Sequence, residues 1–234
     1  MTLPARLSPA QHLRMVWFPS ACVVLDEAEG KVRLLSAEAA RTVACLHDTH
    51  GATSDLDLSP HRRRVLVGLM DAGILTRGGS TRSWCRVRRG TPSGPSWGTR
   101  DSPAALAPIP RVSLRWYALG AFALFVVLGA GLGSRERAFT RTGHLARVAS
   151  AGIANHAATV EAAYAVRKLG RLLPLRVACW EEAVSTVVAL RWAGFRVDFR
   201  HGVATDPVRL HAWVEVGGRP VAEEEDIIDY TPFS

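Results

Sequence analysis

The stretch Val177-Ala178-Cys179-Trp180-Glu181-Glu182-Ala183-Val184 decides how the C-terminal half of the chain folds. It sets one cysteine at the front of a segment in which Ala183, Val184, Val187, Val188 and Leu190 fall on one side at helical spacing. Cys179 is therefore expected at a helix N-terminus, where unpaired backbone N–H groups and the positive end of the dipole favour a thiolate. Leu172-Leu173-Pro174-Leu175-Arg176 leads into this helix, and Gly194 closes it as a C-cap. Beyond it Phe195, Val197 and Phe199 alternate with Arg196 and Asp198 as a strand, and His201 to Asp206 reads as a polar connection. In His211-Ala212-Trp213-Val214-Glu215-Val216 the next strand puts His211, Trp213 and Glu215 on one face. Gly217-Gly218 suits a two-residue hairpin turn, and Arg219 to Glu223 pairs back. A residue just past Val221 then lies near the strand start that carries His211.

A helix cysteine, a strand histidine and a hairpin carboxylate, in that order, are the parts of nucleophilic catalysis. A thiolate at Cys179 attacks a peptide carbonyl, and His211 keeps the thiol ionised and later protonates the leaving amine. A carboxylate fixes the imidazole tautomer and supports its charged form. Glu223 stands at the expected spacing, and Glu224, Asp226 and Asp206 are its alternatives. Each residue alone is weak evidence, since a lone buried cysteine is usually core.

Composition narrows the classes. The 234 residues suffice for one large or two small domains with a real core. The formal charge of +8 comes almost wholly from arginine, Lys31 and Lys168 being the lysines. Such a balance suits an acidic partner, or simply reflects a GC-rich genome. Cys22, Cys45, Cys85 and Cys179 are scattered without a CxxC pair, which argues against a zinc site or a disulfide framework and fits a reducing cytoplasm. No metal and no cofactor are expected. The N-terminus shows no basic segment followed by an apolar run, as a signal peptide would.

Residues 1–80 read as a small α+β module. Strands are expected at His12 to Trp17, Ala21 to Leu25 and Lys31 to Leu35, with Asp26-Glu27-Ala28-Glu29-Gly30 as a turn. Ser36 caps a helix with Ala39, Ala40, Val43 and Leu46 inward. Ser59-Pro60 opens a second helix with Val65, Leu66, Leu69 and Met70 inward, Gly73 ends it, and Ile74-Leu75 returns as a short strand. Residues 81–110 are rich in Pro, Gly, Ser and Arg and read as a linker. Trp116 to Ser134 holds nineteen residues without a charge, enough for a candidate membrane span. Its glycines and alanines favour a buried helix of the second domain, so membrane contact through 116–134 is the less favoured reading. Helices follow from about Arg135 to Ala149 and from Asn155 to Gly170, and His144 and His156 are expected to be structural or solvent-facing.

Two resemblances add to this reading. The run Val24-Leu25-Asp26…Gly30…Val32…Leu34-Leu35-Ser36…Ala40, then Leu66…Leu69…Ala72-Gly73-Ile74-Leu75, resembles the peptide-recognition elements related to the pyrroloquinoline quinone peptide chaperone. The resemblance implies that a precursor's leader adds as a strand beside Lys31, Val32, Arg33, Leu34 and Leu35 and packs on the helix carrying Val65 and Leu69. His61-Arg62-Arg63-Arg64 leaves two other readings of this module open, a winged-helix nucleic-acid-binding surface and a solvated helix face.

The C-terminal wording Cys179…Gly194-Phe195…His201-Gly202-Val203…His211-Ala212-Trp213-Val214-Glu215…Gly218…Pro220-Val221 looks like the transglutaminase-like fold. More closely it resembles the leader peptidases of lasso peptide biosynthesis. That resemblance implies Cys179 as nucleophile, His211 as base, a lasso precursor peptide as substrate, and an asparagine-synthetase-like cyclase as partner. The family's third member is usually Asp where this chain has Glu223. The expected fold is α+β, a winged-helix-like N-terminal module followed by a transglutaminase-like (papain-like) cysteine peptidase domain over 111–234. The expected activity is leader removal in the cytoplasm, without nucleic acid. The alternatives are a nucleic-acid-binding protein with a structural C-terminal domain and a transglutaminase-like amide transferase.

Overall fold

The computed structural model describes residues 3–54, 59–78, 81–91, 111–147, 152–205, 208–223 and 227–233. The chain divides into two compact units, Met1–Pro92 with Phe233–Ser234, and Ser93–Pro232.

The N-terminal unit runs β1 (Leu7–Pro9), β2 (Leu13–Trp17), β3 (Cys22–Asp26), β4 (Lys31–Leu35), α1 (Ala37–Asp48), α2 (Pro60–Asp71), β5 (Leu75–Arg77), a 3-10 turn over Thr81–Arg86, and β6 (Val87–Arg89). β2, β3 and β4 form an antiparallel meander, and β6 adds to β2 in parallel, giving the order β4-β3-β2-β6. Asp26 shapes the β3–β4 turn: its Oδ1 accepts the amides of Ala28 and Glu29, both at 3.0 Å. Gly30 at φ 62 completes the turn.

Local chemistry also sets the helix starts. Ser36 and Ser59 accept the amides of Ala39 and Arg62, and Pro60 occupies the first turn, where its missing N–H costs nothing. The inward residues of α1 are those its spacing indicates, Ala39, Ala40, Val43 and Leu46. β5, expected at Ile74-Leu75, forms one residue later and pairs antiparallel with β1, not with the meander.

Residues 81–91 differ from the linker expected there. Trp84 and Val87 are both 2% exposed, and β6 hydrogen-bonds to β2. The physical reason is the indole: a side chain that buries this much area and has a partner for its N–H does not stay in a solvated linker. Its Nε1 donates to the Leu7 carbonyl at 3.2 Å. Gly51 packs beside this contact at φ 86, and a Cβ there would lie 2.0 Å from the Leu7 carbonyl oxygen and 2.6 Å from Trp84 Nε1.

The C-terminal unit runs α3 (Leu114–Ala130), α4 (Arg135–Arg147), β7 (Ile153–Ala154), α5 (His156–Leu172), α6 (Cys179–Trp192), β8 (Phe195–Arg196), β9 (Asp198–Ala204), β10 (Arg209–Val216), β11 (Arg219–Pro220), a 3-10 turn over Ile227–Asp229, and β12 (Thr231–Pro232). Its main sheet is antiparallel in the order β11-β10-β9-β12, and β7 and β8 form a short parallel pair. Helix α6 is central. Every residue from Ala183 to Leu190 is buried, because α3, α4 and α5 pack on it together with β9 and β10. The one-sided stripe read from the sequence understates this burial; Ser185 and Thr186 are as enclosed as the valines.

The uncharged run 116–134 is covered mainly by α3, which packs through Trp116, Ala123, Leu124 and Val127 and leaves Phe122 and Phe125 exposed. Among the described residues no helix is long and apolar enough to cross a membrane. The polar connection expected at His201 to Asp206 is instead the end of β9 as far as Ala204, paired residue for residue with β10. Gly202 makes this pairing tight: a Cβ there would meet the Thr231 carbonyl oxygen at 2.8 Å and the Trp213 ring at 3.0 Å. Asp206 lies outside the described residues.

Packing of 81–91 predicts that Trp84→Ala lowers the stability of the N-terminal unit by about 3–5 kcal/mol. Hydrogen exchange of the full chain checks this by the protection of peptides from β1 and β2; unchanged protection would remove 81–91 from the core.

Candidate active site

Helix α6 begins at Cys179. Ala178 precedes it in extended conformation, and its amide donates to Glu181 Oε2 at 3.1 Å, so the first turn closes on itself. The amides of Cys179 and Trp180 have no carbonyl one helical turn earlier and remain donors at the helix mouth. Trp180 fixes the outer side of this turn. Its indole stacks on Phe139 at 4.4 Å and meets Phe199 edge-on at 5.1 Å, and its Nε1 donates to Thr142 Oγ1 at 2.9 Å.

His211 comes from β10, opposite Gly202 of β9. Its ring packs over Trp213 at 6.1 Å and Tyr230 at 5.4 Å. Nε2 meets Glu223 Oε2 at 2.8 Å, and both side chains are nearly enclosed, 12% and 11% exposed. Cys179 lines the same small pocket as this imidazole. With Nε2 on Glu223, Nδ1 is the nitrogen left to face the thiol. Burial alone would lower the His211 pKa. Hydrogen bonds from Cys179 and Glu223, followed by the charges of those two groups, outweigh it and raise the pKa to about 9. The imidazole is thus held protonated across neutral pH, and a positive charge beside Sγ favours a nucleophilic sulfur.

The structure brings together the cysteine, histidine and carboxylate that the sequence singled out. Glu224 and Asp226, the neighbouring alternatives, lie outside the described residues, as does Asp206. The hairpin explains the third member. Gly217 and Gly218, at φ 60 and 76, reverse the chain. Val221, 1% exposed, then donates its amide to the Val214 carbonyl at 3.0 Å. Ala222 turns left-handed at φ 57, a conformation that costs a non-glycine residue about 1–2 kcal/mol, and aims the next side chain at His211.

Arg167 of α5 holds that turn: Nη1 donates to the Ala222 carbonyl at 2.8 Å and Nε to Glu182 Oε2 at 3.3 Å. No periodic signal marks Arg167, because its partners are 55 and 15 residues away. Cys179, His211, Glu223, Arg167, Glu182 and Thr186 share a pocket of about 20 Å³, room for one water.

The other cysteines are placed differently. Cys22 is buried in β3 and desolvation pushes its thiol up to about 12, while Cys85 is exposed and Cys45 half-buried. His144 and His156 are solvent-facing. Among the described residues no group of three or more His, Cys, Asp or Glu is arranged to hold a metal.

In the N-terminal unit β4 is an edge strand, and among the described residues nothing pairs with its outer side. Val32 and Leu34 are 41% and 61% exposed. Lys31 is exposed, and Arg33 and Leu35 are half-buried. Arg33 reaches Asp26 and Glu29, both at 3.5 Å, and donates to the Ala72 carbonyl just past α2. The α2 residues expected beside a bound leader lie on the inward stripe of that helix. Leu69 is 5% exposed inside the core, and Val65 packs partly against that core. Arg63 and Arg64 are exposed, whereas His61 pairs with Glu38.

Residues 122–234 match the Transglutaminase-like superfamily. No curated protein and no solved structure matches the chain. The transglutaminase-like domain contains all three of Cys179, His211 and Glu223 and is compatible with a cysteine peptidase or an amide transferase.

Because the folded His211 value lies above the ordinary 6.5, the bound proton's contribution to stability is fully present below about pH 6.5 and is lost as pH rises through about 9. Glu223→Gln removes a charge and a charged acceptor, and is expected to lower the His211 pKa by about 1–3 units. NMR titration of the imidazole in the full chain checks both; an unchanged midpoint would remove Glu223 as the orienter.

Proposed function

We propose that this chain is a cysteine peptidase that removes the leader of a ribosomally made precursor of the lasso peptide class, so that an asparagine-synthetase-like partner can close the macrolactam on the freed core. The observation that carries the catalytic part is the 2.8 Å contact between His211 and Glu223, on an imidazole that shares its pocket with Cys179 at the start of α6. Support for the leader-binding part comes from β4, an edge strand with no strand on its outer side among the described residues, where exposed Val32 and Leu34 offer side-chain contacts. The reading implies the cytoplasm, where such a precursor is made.

In this reading Cys179 Sγ attacks the scissile carbonyl and forms a C–S bond. The tetrahedral oxyanion faces the amide donors of the α6 N-terminus. His211 gives its proton to the leaving amine, the C–N bond breaks, and the leader remains as a thioester on Cys179. Water then attacks the thioester, His211 takes a proton from it, and the C–S bond breaks to release the leader acid. Glu223 keeps the imidazole oriented and supports its charged form throughout. No step calls for a metal or cofactor.

The same thioester accepts an amine as readily as water in principle, which keeps an amide transferase as the second reading; the transglutaminase-like match favours it no less than hydrolysis. Mass spectrometry of a precursor incubated with the enzyme distinguishes them: hydrolysis yields a free leader acid and a core with a new amino terminus, transfer yields a new amide.

Cys179→Ala is expected to abolish cleavage and leave leader affinity unchanged, read by product formation and by titration calorimetry with the precursor peptide. Retained cleavage would end the assignment. Leu34→Glu, on an exposed side chain of β4, is expected to weaken leader binding by about tenfold, or 1.4 kcal/mol. An unchanged isotherm would move the leader off this edge.

A further inference from the structure

We propose that Arg167 is a positioning residue for the Cys179–His211–Glu223 set, tying the nucleophile's helix to the loop that presents the orienting carboxylate. This rests on the catalytic reading of that set given above. The two arms of one guanidinium carry the argument. Nε reaches Glu182 Oε2 at 3.3 Å, and Glu182 stands on α6 one turn after Cys179. Nη1 reaches the Ala222 carbonyl at 2.8 Å, one residue before Glu223. Both charged side chains are largely enclosed, 16% and 22% exposed, so the link works in a poorly screened setting.

Ala222 shows why a link is needed at this place. Val221 is fixed by its amide bond to β10, and Glu223 is fixed by His211, but the residue between them sits at φ 57 without the freedom of glycine. A left-handed alanine relaxes unless its surroundings hold it, and strain of this kind gathers at working sites. A captured carbonyl supplies the hold. The guanidinium suits the task because its planar frame holds its N–H donors in fixed directions, whereas an ammonium is a compact charge on a flexible stem.

The consequence falls on the imidazole through Glu223. Among the described residues the charged and titratable groups facing His211 are Cys179 and Glu182 from α6, Arg167 from α5 and Glu223 from the loop, with Tyr230 and, over its ring, Arg209 on the remaining side and Gly202 of β9 opposite. Glu223 is the member whose placement depends on the Ala222 turn. Without Arg167 the carboxylate drifts, the imidazolium loses support, and the thiolate it stabilises forms only at higher pH.

The test is the pH profile of Cys179 alkylation by iodoacetamide, read site by site by peptide mapping of the full chain, which needs no knowledge of the substrate. Wild type, Glu223→Gln, Arg167→Met and Arg167→Lys are compared, with thermal midpoints recorded for each. The expected result is that Glu223→Gln and Arg167→Met both move the acid limb upward, by about one pH unit or a tenfold loss of rate on that limb. Arg167→Lys keeps a charge near Glu182 and loses the second arm, so it should move the limb in the same direction even where Arg167→Met fails to fold. Added methylguanidinium should restore part of the Arg167→Met loss. A limb that moves in Glu223→Gln but stays in place in folded Arg167→Lys overturns the positioning role and leaves the catalytic reading intact. A limb unmoved by Glu223→Gln overturns the catalytic reading, and the role of Arg167 with it. A lowered thermal midpoint with unshifted limbs makes Arg167 structural only and overturns the proposal.

Discussion

The burial of α6 on every side is the constraint on which the C-terminal unit depends. Three helices and two strands pack against residues 183–190, so the helix has no freedom to rotate or slide. Each buried valine or leucine there contributes roughly 1.5–3 kcal/mol, far more than any single polar contact at its start. Cys179 takes its position from this packing. A cysteine at the first residue of a helix so enclosed is held without spending any of its own interactions on staying there.

His211 and Glu223 are held by a different means. Antiparallel pairing with β9 sets His211, and the glycine turn brings the chain back within one strand's reach of it. Register here is a two-state matter: a slip of one residue would put His211 on the face of Ala212 and Val214, which packs against α6. Gly202 guards the register, because Trp213 and Thr231 close on it too tightly for any side chain. The geometry of the candidate site thus follows from apolar packing on one side and sheet register on the other, and Cys179, His211 and Glu223 meet where the two join.

How much of this was legible in the sequence followed the range of the interactions. Ser36, Ser59-Pro60, Asn155 and Gly217-Gly218 act within four residues, and each cap or turn stands where its local chemistry indicates. Cys179, His211 and Glu223 were legible for the same reason, since helix start, strand and hairpin are local patterns whose order alone suggests convergence. The strand at His201 to Ala204 was not. It opens with His201-Gly202, which carry little strand signal, and it becomes a strand because β10 and β12 bracket it. Residues 81–91 were hidden likewise: the Gly- and Arg-rich composition reads as linker, while Trp84 and the parallel pairing of β6 with β2 depend on partners about seventy residues earlier. Leu69 was read both as core and as leader contact, and it lies buried in the core of the N-terminal unit.

The four cysteines show that environment, not residue type, sets reactivity in this chain. Cys22 sits among β3 neighbours that exclude water and supply no charge, and burial there pushes its thiol up to about 12, which leaves it inert. Cys179 is also partly enclosed, yet its neighbours are an imidazole and a helix N-terminus. Around Cys179 the neighbouring imidazole is also desolvated, yet Glu223 and Cys179 outweigh that cost and raise the His211 pKa to about 9. The difference between the two thiols' surroundings comes from His211, placed there by β10 and held in its charged form by Glu223.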